Sequence, residues 1–262
     1  MGSPSPLMTN SEILAVSKIL LESRAFTKEE MSGILNKLVA GCVPLENVKL
    51  VSALVSNELF HYVELTHPVG IQDKLWEIGC DIQQHHLMRI RYQRQGADAA
   101  SAVERIVEPV SILFSEYYFY LNAYITKEND GKYTRKYDYP AIFRIDRIAD
   151  YKIMEQTFSL PYASRFQEGE FRKRVQFMYP GRLQSIRLRY TGSSVEAILD
   201  RLPTAKIVSQ DANGYLVEAE IYGNGIVMWL LSQGNRVEVL APQTLREEMF
   251  RVLTAMLERY QP

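Results

Sequence analysis

The chain has 262 residues, 47% of them hydrophobic and 23% charged, a composition that is typical of globular proteins and excludes disorder as its main state. Its 30 Lys and Arg nearly balance 31 Asp and Glu, so the net charge of -1 excludes a uniformly basic nucleic-acid coat but not a local basic patch. The two cysteines, Cys42 and Cys80, exclude four-thiolate zinc sites and a dense disulfide framework, and they favour a reducing compartment. No apolar run in the sequence is long enough to cross a membrane, so we expect a cytoplasmic protein.

Residues 9–84 predict helices that form a linker or dimerisation segment. They follow a Gly/Ser/Pro-rich start, residues 1–8, which we expect to be disordered or an expression remnant. Short helices with one apolar face each must pack on one another or on a partner. The start signals of the predicted helices are two capping-box pairs, Thr9 with Glu12 and Thr27 with Glu30, followed by Pro44 and Ile71.

The sequence period changes to two over residues 85–160, which indicates strands. The clearest alternation sets Met88, Ile90 and Tyr92 against Arg89 and Arg91. Further strands are predicted over residues 103–114, 117–125 and 141–145, with loops at residues 95–101 and 127–134. Short strands with hairpin-type turns and little helix predict a small antiparallel β-barrel.

Residues 161–181 are interpreted as a connector, and residues 182–262 as a separate C-terminal domain. In this domain the predicted elements follow the order strand, helix, strand, strand, helix, strand, and a last helix opens at Pro242. That order is typical of the split βαβ, or ferredoxin-like, pattern.

The residues give no positive indication of an enzyme, a metal site or a cofactor, and we expect none of the three. His85 and His86 are adjacent and diverge on either a helix or a strand, so we interpret them as a polar pair at a helix end. Gly-Ser-Ser at residues 192–194 lacks the nucleophile-elbow pattern and is interpreted as a helix N-cap. Gly-Asn-Gly at residues 223–225 lacks the rest of a phosphate loop and predicts a strand-to-helix turn capped by Asn224.

Arginines interleaved with aromatic residues are more informative about a partner. Guanidinium groups bind phosphates, and aromatic faces stack on bases. The alternative is that arginines alternating along a strand are its solvent-exposed face, and the residues alone leave both interpretations open. The interleaved sets are Arg89, Arg91 and Arg94 around Tyr92; Arg144 and Arg147 after Phe143; Arg172, Lys173 and Arg174 between Phe171 and Phe177; and Arg187 and Arg189 before Tyr190.

Several short motifs together resemble one known family. Phe-Tyr-Leu at residues 119–121 resembles the Trp-Tyr-Leu signature of WYL domains, and the C-terminal part is similar to the WYL C-terminal extension. Two positions depart from the family pattern, since Phe119 stands in place of Trp and Ala141 in place of a usual arginine. The other motifs are Ile-Arg-Tyr at 90–92, Glu-Pro at 108–109, Phe-Arg-Ile-Asp-Arg-Ile at 143–148, Trp-Leu-Leu-Ser-Gln-Gly at 229–234, Val-Glu-Val-Leu-Ala-Pro at 237–242 and Leu-Arg at 245–246.

The resemblance implies an α+β protein with three units: an N-terminal helical segment, a small SH3/Sm-like antiparallel β-barrel and a C-terminal ferredoxin-like α/β sandwich. It also implies the ligand-sensing and oligomerisation part of a WYL-type transcriptional regulator, which binds a nucleic-acid or nucleotide effector. The wide apolar faces of the helices in residues 9–62 separately predict a homodimer, since no internal sheet covers them. Family members read DNA through an N-terminal winged helix-turn-helix, which we expect to be missing from this chain. The alternatives are a stand-alone nucleic-acid-binding accessory module and, more weakly, an enzyme acting on nucleotides.

The resemblance also implies where the ligand binds. Arg144 and Arg147 lie three residues apart in the run that resembles the family's ligand-facing turn, and a helical turn would place them on one side. Both guanidinium groups would then meet one phosphate or neighbouring phosphates, with Arg91 on the nearby strand. In the alternative, one of them pairs with Asp146 or another carboxylate and stabilises the barrel. The candidate ligand-binding residues are Arg144, Arg147, Arg91, Tyr92, Tyr120 and Arg89.

Overall fold

A computed structural model of the chain describes residues 8–66, 69–93, 102–160 and 166–261. It shows a mixed α+β protein with helices at the N-terminus and two antiparallel sheets after them. The predicted loop at residues 95–101, Arg94, the start over residues 1–7 and the first part of the connector, residues 161–165, lie outside the described residues. No helix within these four ranges is long and apolar enough to span a membrane.

The N-terminal helices form as the capping signals predict. They are α1 (Asn10–Ser23), α2 (Lys28–Cys42) and α3 (Val48–Phe60), and a short 3-10 turn (Leu45–Asn47) follows Pro44. Both predicted capping boxes are present, because each threonine side chain accepts from a backbone N–H and the glutamate three residues on accepts from the backbone N–H of the threonine. The apolar faces of the three helices pack on one another around buried residues that include Ile13, Met31, Leu35 and Val55.

A fourth helix and a six-stranded antiparallel sheet make the central unit. The helix is α4 (Gln72–Gln84), whose Ile78 is fully buried against the sheet. Neighbouring strands follow the order β4-β3-β2-β1-β6, and β5 also pairs with β3. The strands are β1 (His86–Tyr92), β2 (Val103–Ser115), β3 (Tyr118–Asn129), β4 (Lys132–Arg135), β5 (Ala141–Arg144) and β6 (Ile148–Thr157).

This sheet is not closed into a barrel. Within the described strands, no pairing joins β6, at one end of the order, to β4 or β5 at the other. The antiparallel sheet is therefore confirmed and the closed barrel is not, because the hydrogen-bonded ladder ends at β6 instead of returning to its start.

The loop predicted over residues 127–134 is wrong, since these residues form a β-hairpin. Lys127 pairs with Thr134, and Asn129 pairs with Lys132, so that only Asp130 and Gly131 make the turn. Both turn residues have a positive φ, 49° and 75°, which suits a two-residue hairpin turn whose twist matches that of the strands.

The C-terminal part has the predicted order of elements, with the last helix after Pro242. Its four strands are antiparallel in the order β10-β7-β9-β8. Two predicted N-caps are wrong. The N-cap of α6 is Val195 and not a residue of Gly-Ser-Ser at 192–194, and the N-cap of α7 is Gly225 and not Asn224; neither makes a side-chain cap hydrogen bond. The side chain of Asn224 accepts a hydrogen bond from Gln184 instead. The elements are β7 (Leu183–Tyr190), α6 (Glu196–Arg201), β8 (Lys206–Asp211), β9 (Gly214–Tyr222), α7 (Ile226–Ser232), β10 (Val237–Ala241) and α8 (Gln243–Tyr260).

A short helix in the connector joins the two sheets. This helix, α5 (Glu168–Arg174), carries Phe171, which is buried in one cluster with Leu113 of β2 and is also in contact with Tyr222 of β9. Arg174 also links α5 to the C-terminal sheet, because its guanidinium lies 2.6 Å from Glu170 and 2.8 Å from Glu220. One face of the central sheet is therefore packed against α5 and the C-terminal sheet.

Candidate functional site

The end of β5 holds an arginine whose side chain is fixed by a carboxylate and an aromatic ring. The Arg144 guanidinium donates to both oxygens of Asp146, at 3.0 Å from Nε and 2.5 Å from Nη2. The same guanidinium lies over the Tyr118 ring, with its central carbon 3.3 Å from the ring centroid. Arg144 and Asp146 are both mostly buried, with side chains 18% and 19% exposed. An arginine held by a carboxylate and an aromatic face loses little further freedom when it binds a ligand.

Two of the predicted ligand residues lie beside this arginine. Tyr120 is directly opposite Arg144 in the β3–β5 ladder, and its ring stands edge-on to that of Tyr118, with 6.4 Å between the ring centroids. The hydroxyl of Tyr92 accepts a hydrogen bond from the backbone N–H of Arg144 at 3.3 Å. The structure therefore brings together a set that we call the tyrosine–arginine cluster, consisting of Tyr92, Tyr118, Tyr120, Arg144 and Asp146.

Charge and burial oppose each other inside the cluster. Burial alone would lower the pKa of Arg144, but its hydrogen bonds to Asp146 and the charge of that carboxylate outweigh burial and raise the pKa. Burial raises the pKa of Tyr120, although the nearby Arg144 acts in the opposite direction. The guanidinium therefore stays charged and the phenol stays neutral near pH 7.

The turn after β5 is helical, and one of its two arginines forms the ion pair of the alternative interpretation. Residues Ile145–Arg147 form a 3-10 turn with Arg144 as its N-cap. The alternative, an ion pair with Asp146, is what Arg144 shows. Arg147 is half-buried, and its backbone carbonyl accepts from the Gln93 N–H at 3.1 Å, which ties the turn to the end of β1.

The remaining two candidates lie on the other side of β1. Arg89 and Arg91 are exposed, whereas Ile90 between them is fully buried. Arg89 pairs with Glu104 at 2.9 Å, and Arg91 faces Glu104 and Asp150 in the two neighbouring strands. These arginines lie on the face of β1 opposite to Ile90 and Tyr92, which we call the outer β1 face.

The other interleaved arginines of β7 fit the solvent-face interpretation. Arg187 pairs with Glu218 and Arg189 with Asp211, all on the C-terminal sheet. The interpretation of His85 and His86 as a polar pair also fits, because His85 ends α4, His86 begins β1, and His86 lies 3.6 Å from Asp81. No group of His, Cys, Asp and Glu among the described residues is arranged to hold a metal ion.

The crevice beside the cluster is narrow. Residues of the N-terminal helical segment, including Arg24 and Phe26, close over Tyr118 and Asp146 and leave about 20 Å³. That is about the space of one water molecule, so this crevice does not enclose a ligand.

The cluster lies inside a stretch that matches a known family. Residues 81–153 match the WYL domain family, and residues 182–257 match the WCX domain family. We refer to these two matched stretches as the WYL domain and the WCX domain. The cluster and the outer β1 face both lie in the WYL domain. A search of curated proteins found no match to the chain.

Solved structures that are similar to the chain include the following two. One is proteasome accessory factor B/C (PafBC) of Arthrobacter aurescens, at 18% identity and a TM-score of 0.39 over 97% of this chain and 37% of that one. The other is a CRISPR Cas-related protein, at 15% identity and a TM-score of 0.46 over 95% of this chain and 72% of that one. The chain thus spans little more than a third of the length of PafBC.

Sequence reasoning missed one member of the cluster, Tyr118. The aromatic run of β3 shows no alternation of polar and apolar residues, so the sequence does not indicate which of its residues face the core. In the structure, Leu121 and Ala123 are buried and mark the core face. Tyr118 and Tyr120 share the face opposite to these odd-numbered residues, because side chains alternate along a strand.

Proposed function

We propose that this chain is the ligand-sensing and oligomerisation part of a WYL-type transcriptional regulator, and that its WYL domain binds a nucleic-acid effector. The WYL and WCX matches support a regulatory, nucleic-acid-related role. Contact with operator DNA would belong to a winged helix outside this chain. The effector would act by having different affinities for two states of the protein, as any allosteric coupling requires.

The stacking of Arg144 on Tyr118 carries this proposal. The guanidinium is already oriented by Asp146, and a phosphate oxygen could take up its remaining donor capacity. Tyr118 and Tyr120 place two aromatic rings next to that charge, which is the combination that single-stranded nucleic acids bind.

The shape of the surface favours an oligonucleotide over a mononucleotide at this site. A small ligand needs a cavity of roughly 300–1,000 Å³ to be enclosed. The crevice at Tyr118 and Asp146 has only about 20 Å³. A strand that runs over the open surface gains its affinity from several phosphates, and Arg147 and Arg91 are the next cations along the WYL domain.

The oligomerisation part of the proposal rests on apolar side chains that the N-terminal helices leave exposed. Ile19 of α1 and Leu50 and Leu54 of α3 lie on the surface, where a second copy would bury them. We propose a homodimer that uses this segment.

We also propose that the WYL sheet has an SH3/Sm-like fold and that the WCX domain has a ferredoxin-like fold. An SH3/Sm-like assignment of the WYL sheet is supported by the 3-10 turn that joins β5 to β6. A ferredoxin-like assignment of the WCX domain is supported by the strand order β10-β7-β9-β8 with α6 and α7 as the crossing helices.

A thermal-shift screen of the full chain against mono-, cyclic and oligonucleotides tests the proposal. A single-stranded oligonucleotide should raise the melting temperature in a concentration-dependent way, because it binds the native state only. The Tyr118→Ala variant should lose most of the shift and Tyr118→Phe should keep it, since the ring face and not the hydroxyl carries the interaction. As a matched control, Tyr260→Ala on α8 should shift like the wild type. No shift with any oligonucleotide, or equal shifts for both Tyr118 variants, would contradict the proposal.

A further inference from the structure

A second cavity lies at the junction of the WYL and WCX domains. The β2–β3 turn forms one wall, the segment around the end of α5 forms another, and the end of α6 closes the third. Its volume is about 380 Å³, which falls within the range of sites that enclose small molecules. We call it the junction cavity and define it by Ser115, Arg172, Gln176, Phe177 and Arg201.

Two buried polar side chains of the junction cavity have no partner within the described residues. Ser115 is 7% exposed and Gln176 is 4% exposed, and both line the cavity. Neither side chain makes a hydrogen bond within the described residues, yet the polar atoms of neither are fully enclosed, so they reach the open space of the cavity. Polar atoms that line a cavity without a protein partner are available to hydrogen-bond a ligand or water.

Two arginines at the cavity also lack a carboxylate partner within the described ranges. Arg201 lies over the Phe177 ring, with its guanidinium carbon 4.5 Å from the ring centroid, and its buried Nε makes no hydrogen bond. Arg172 is exposed at the rim and contacts only the sulfur of Met178, at 3.8 Å. By contrast, Lys173 is neutralised by Glu170 at 2.6 Å. Two unpaired guanidinium groups that share one cavity are suited to a phosphate.

The opposite side of the cavity limits the charge of the ligand. Glu116 and Asp200 line it and are exposed. These carboxylates repel a second anionic group but accept hydrogen bonds from hydroxyl or amino groups. The fitting ligand therefore has one phosphate and, beyond it, neutral hydrogen-bonding groups.

The backbone around the cavity is held in an uncommon conformation. Glu116, Phe177 and Met178 have φ values of 56°, 49° and 54°, in the left-handed region that non-glycine residues rarely adopt. Residues held in this region cluster at ligand sites, where the surrounding structure fixes them.

We propose that the junction cavity binds a phosphomonoester of mononucleotide size, with its phosphate on Arg172 and Arg201 and its neutral polar groups on Ser115 and Gln176. This site shares no residue with the tyrosine–arginine cluster and does not depend on the function proposed for it. The two are adjacent in the chain, because the β2–β3 turn that bears Ser115 and Glu116 leads directly into Tyr118.

Isothermal titration calorimetry of the full chain with AMP and UMP tests this site, with adenosine, uridine and inorganic phosphate as comparison ligands. At least one mononucleotide should bind with a Kd below about 1 mM, and its nucleoside and phosphate alone should bind at least about tenfold more weakly. The Arg201→Gln and Gln176→Glu variants should each weaken mononucleotide binding about tenfold or more, the change expected when a charge-assisted hydrogen bond is lost or a repulsion is added.

Two further variants keep the result unambiguous. Arg172→Gln alters an exposed side chain with one weak sulfur contact, so it should fold normally, as far-ultraviolet circular dichroism would show, and should still weaken binding. Arg251→Gln on α8 is the matched control and should leave mononucleotide binding unchanged. Absence of binding by both mononucleotides, equal binding of phosphate alone, or a loss of affinity in Arg251→Gln but not in Arg172→Gln would overturn the assignment.

Discussion

Removing the Arg144 side chain should destabilise the WYL domain far more than removing a comparable surface arginine. Arg144 makes two charge-assisted hydrogen bonds to Asp146 and covers the Tyr118 ring. Hydrogen bonds to charged groups contribute about 1.5–3 kcal/mol, and a cation–π contact contributes about 0.5–2 kcal/mol. These contributions are not additive, and the pair keeps about a fifth of its exposure, which screens it.

We therefore expect Arg144→Ala to lower the free energy of unfolding by about 2–3 kcal/mol, partly because it leaves the Asp146 carboxylate mostly buried without a counter-charge. Asp146→Ala should lower it by less, about 1–2 kcal/mol, since Arg144 keeps its contact with Tyr118. The double variant should be more stable than the sum of the single effects predicts, with a coupling energy of about 1–2 kcal/mol.

Urea unfolding followed by circular dichroism measures these changes as shifts in midpoint at a constant m-value. Arg89 and Glu104 are the matched control pair, because they are also one arginine and one carboxylate on the same domain but are 44% and 59% exposed. Arg89→Ala should change the free energy of unfolding by less than about 1 kcal/mol. The reasoning is refuted when Arg144→Ala costs no more than Arg89→Ala, or when the double-variant cycle shows no coupling.

Three further predictions concern packing, pH dependence and assembly. Ile78→Ala should destabilise the protein by about 2–5 kcal/mol in urea unfolding, because Ile78 is fully buried between α4 and the WYL sheet; no loss would mean that α4 does not pack there. Lys173 and Arg174 lower the pKa of Glu170 from 4.5 to about 2, so its ion pairs stabilise the folded state above pH 4.5 and are lost as the pH falls towards 2. The melting-temperature difference between wild type and Glu170→Gln should therefore be present at pH 6 and shrink towards pH 2, and a difference that is independent of pH would contradict it. Light scattering at micromolar concentration should give twice the chain mass of 30.2 kDa, whereas a single-chain mass would argue against the homodimer.

Local signals in the sequence were sufficient for most elements of the fold. The capping boxes at Thr9 and Thr27 place the starts of α1 and α2, because the signal and the hydrogen bonds it predicts lie within four residues. The hairpin over residues 127–134 was missed although Asp130 and Gly131 are a strong turn pair. Its flanking residues are polar and exposed, so they lack the alternation that marks a strand with one buried face.

The candidate site needed information that a single sequence does not contain. That Arg144 stacks on Tyr118 depends on the register between β3 and β5, which brings residues more than twenty positions apart side by side. The separation of Arg89 and Arg91 from Tyr92, by contrast, follows from the two-residue period of β1 alone. The resemblance to the WYL family grouped all six candidates, and strand geometry divides them into two surfaces.

The salt dependence of oligonucleotide binding tests the central claim most directly. Fluorescence anisotropy with a labelled single-stranded oligonucleotide would compare the wild type with Arg147→Ala and with the control Arg251→Ala at several salt concentrations. We expect tight binding at low salt, and we expect Arg147→Ala to weaken it by about 1–3 kcal/mol and to flatten the salt dependence by about one phosphate contact. A wild type that does not bind, or an Arg147→Ala variant that melts much lower yet binds when folded with the wild-type affinity and slope, would contradict the account.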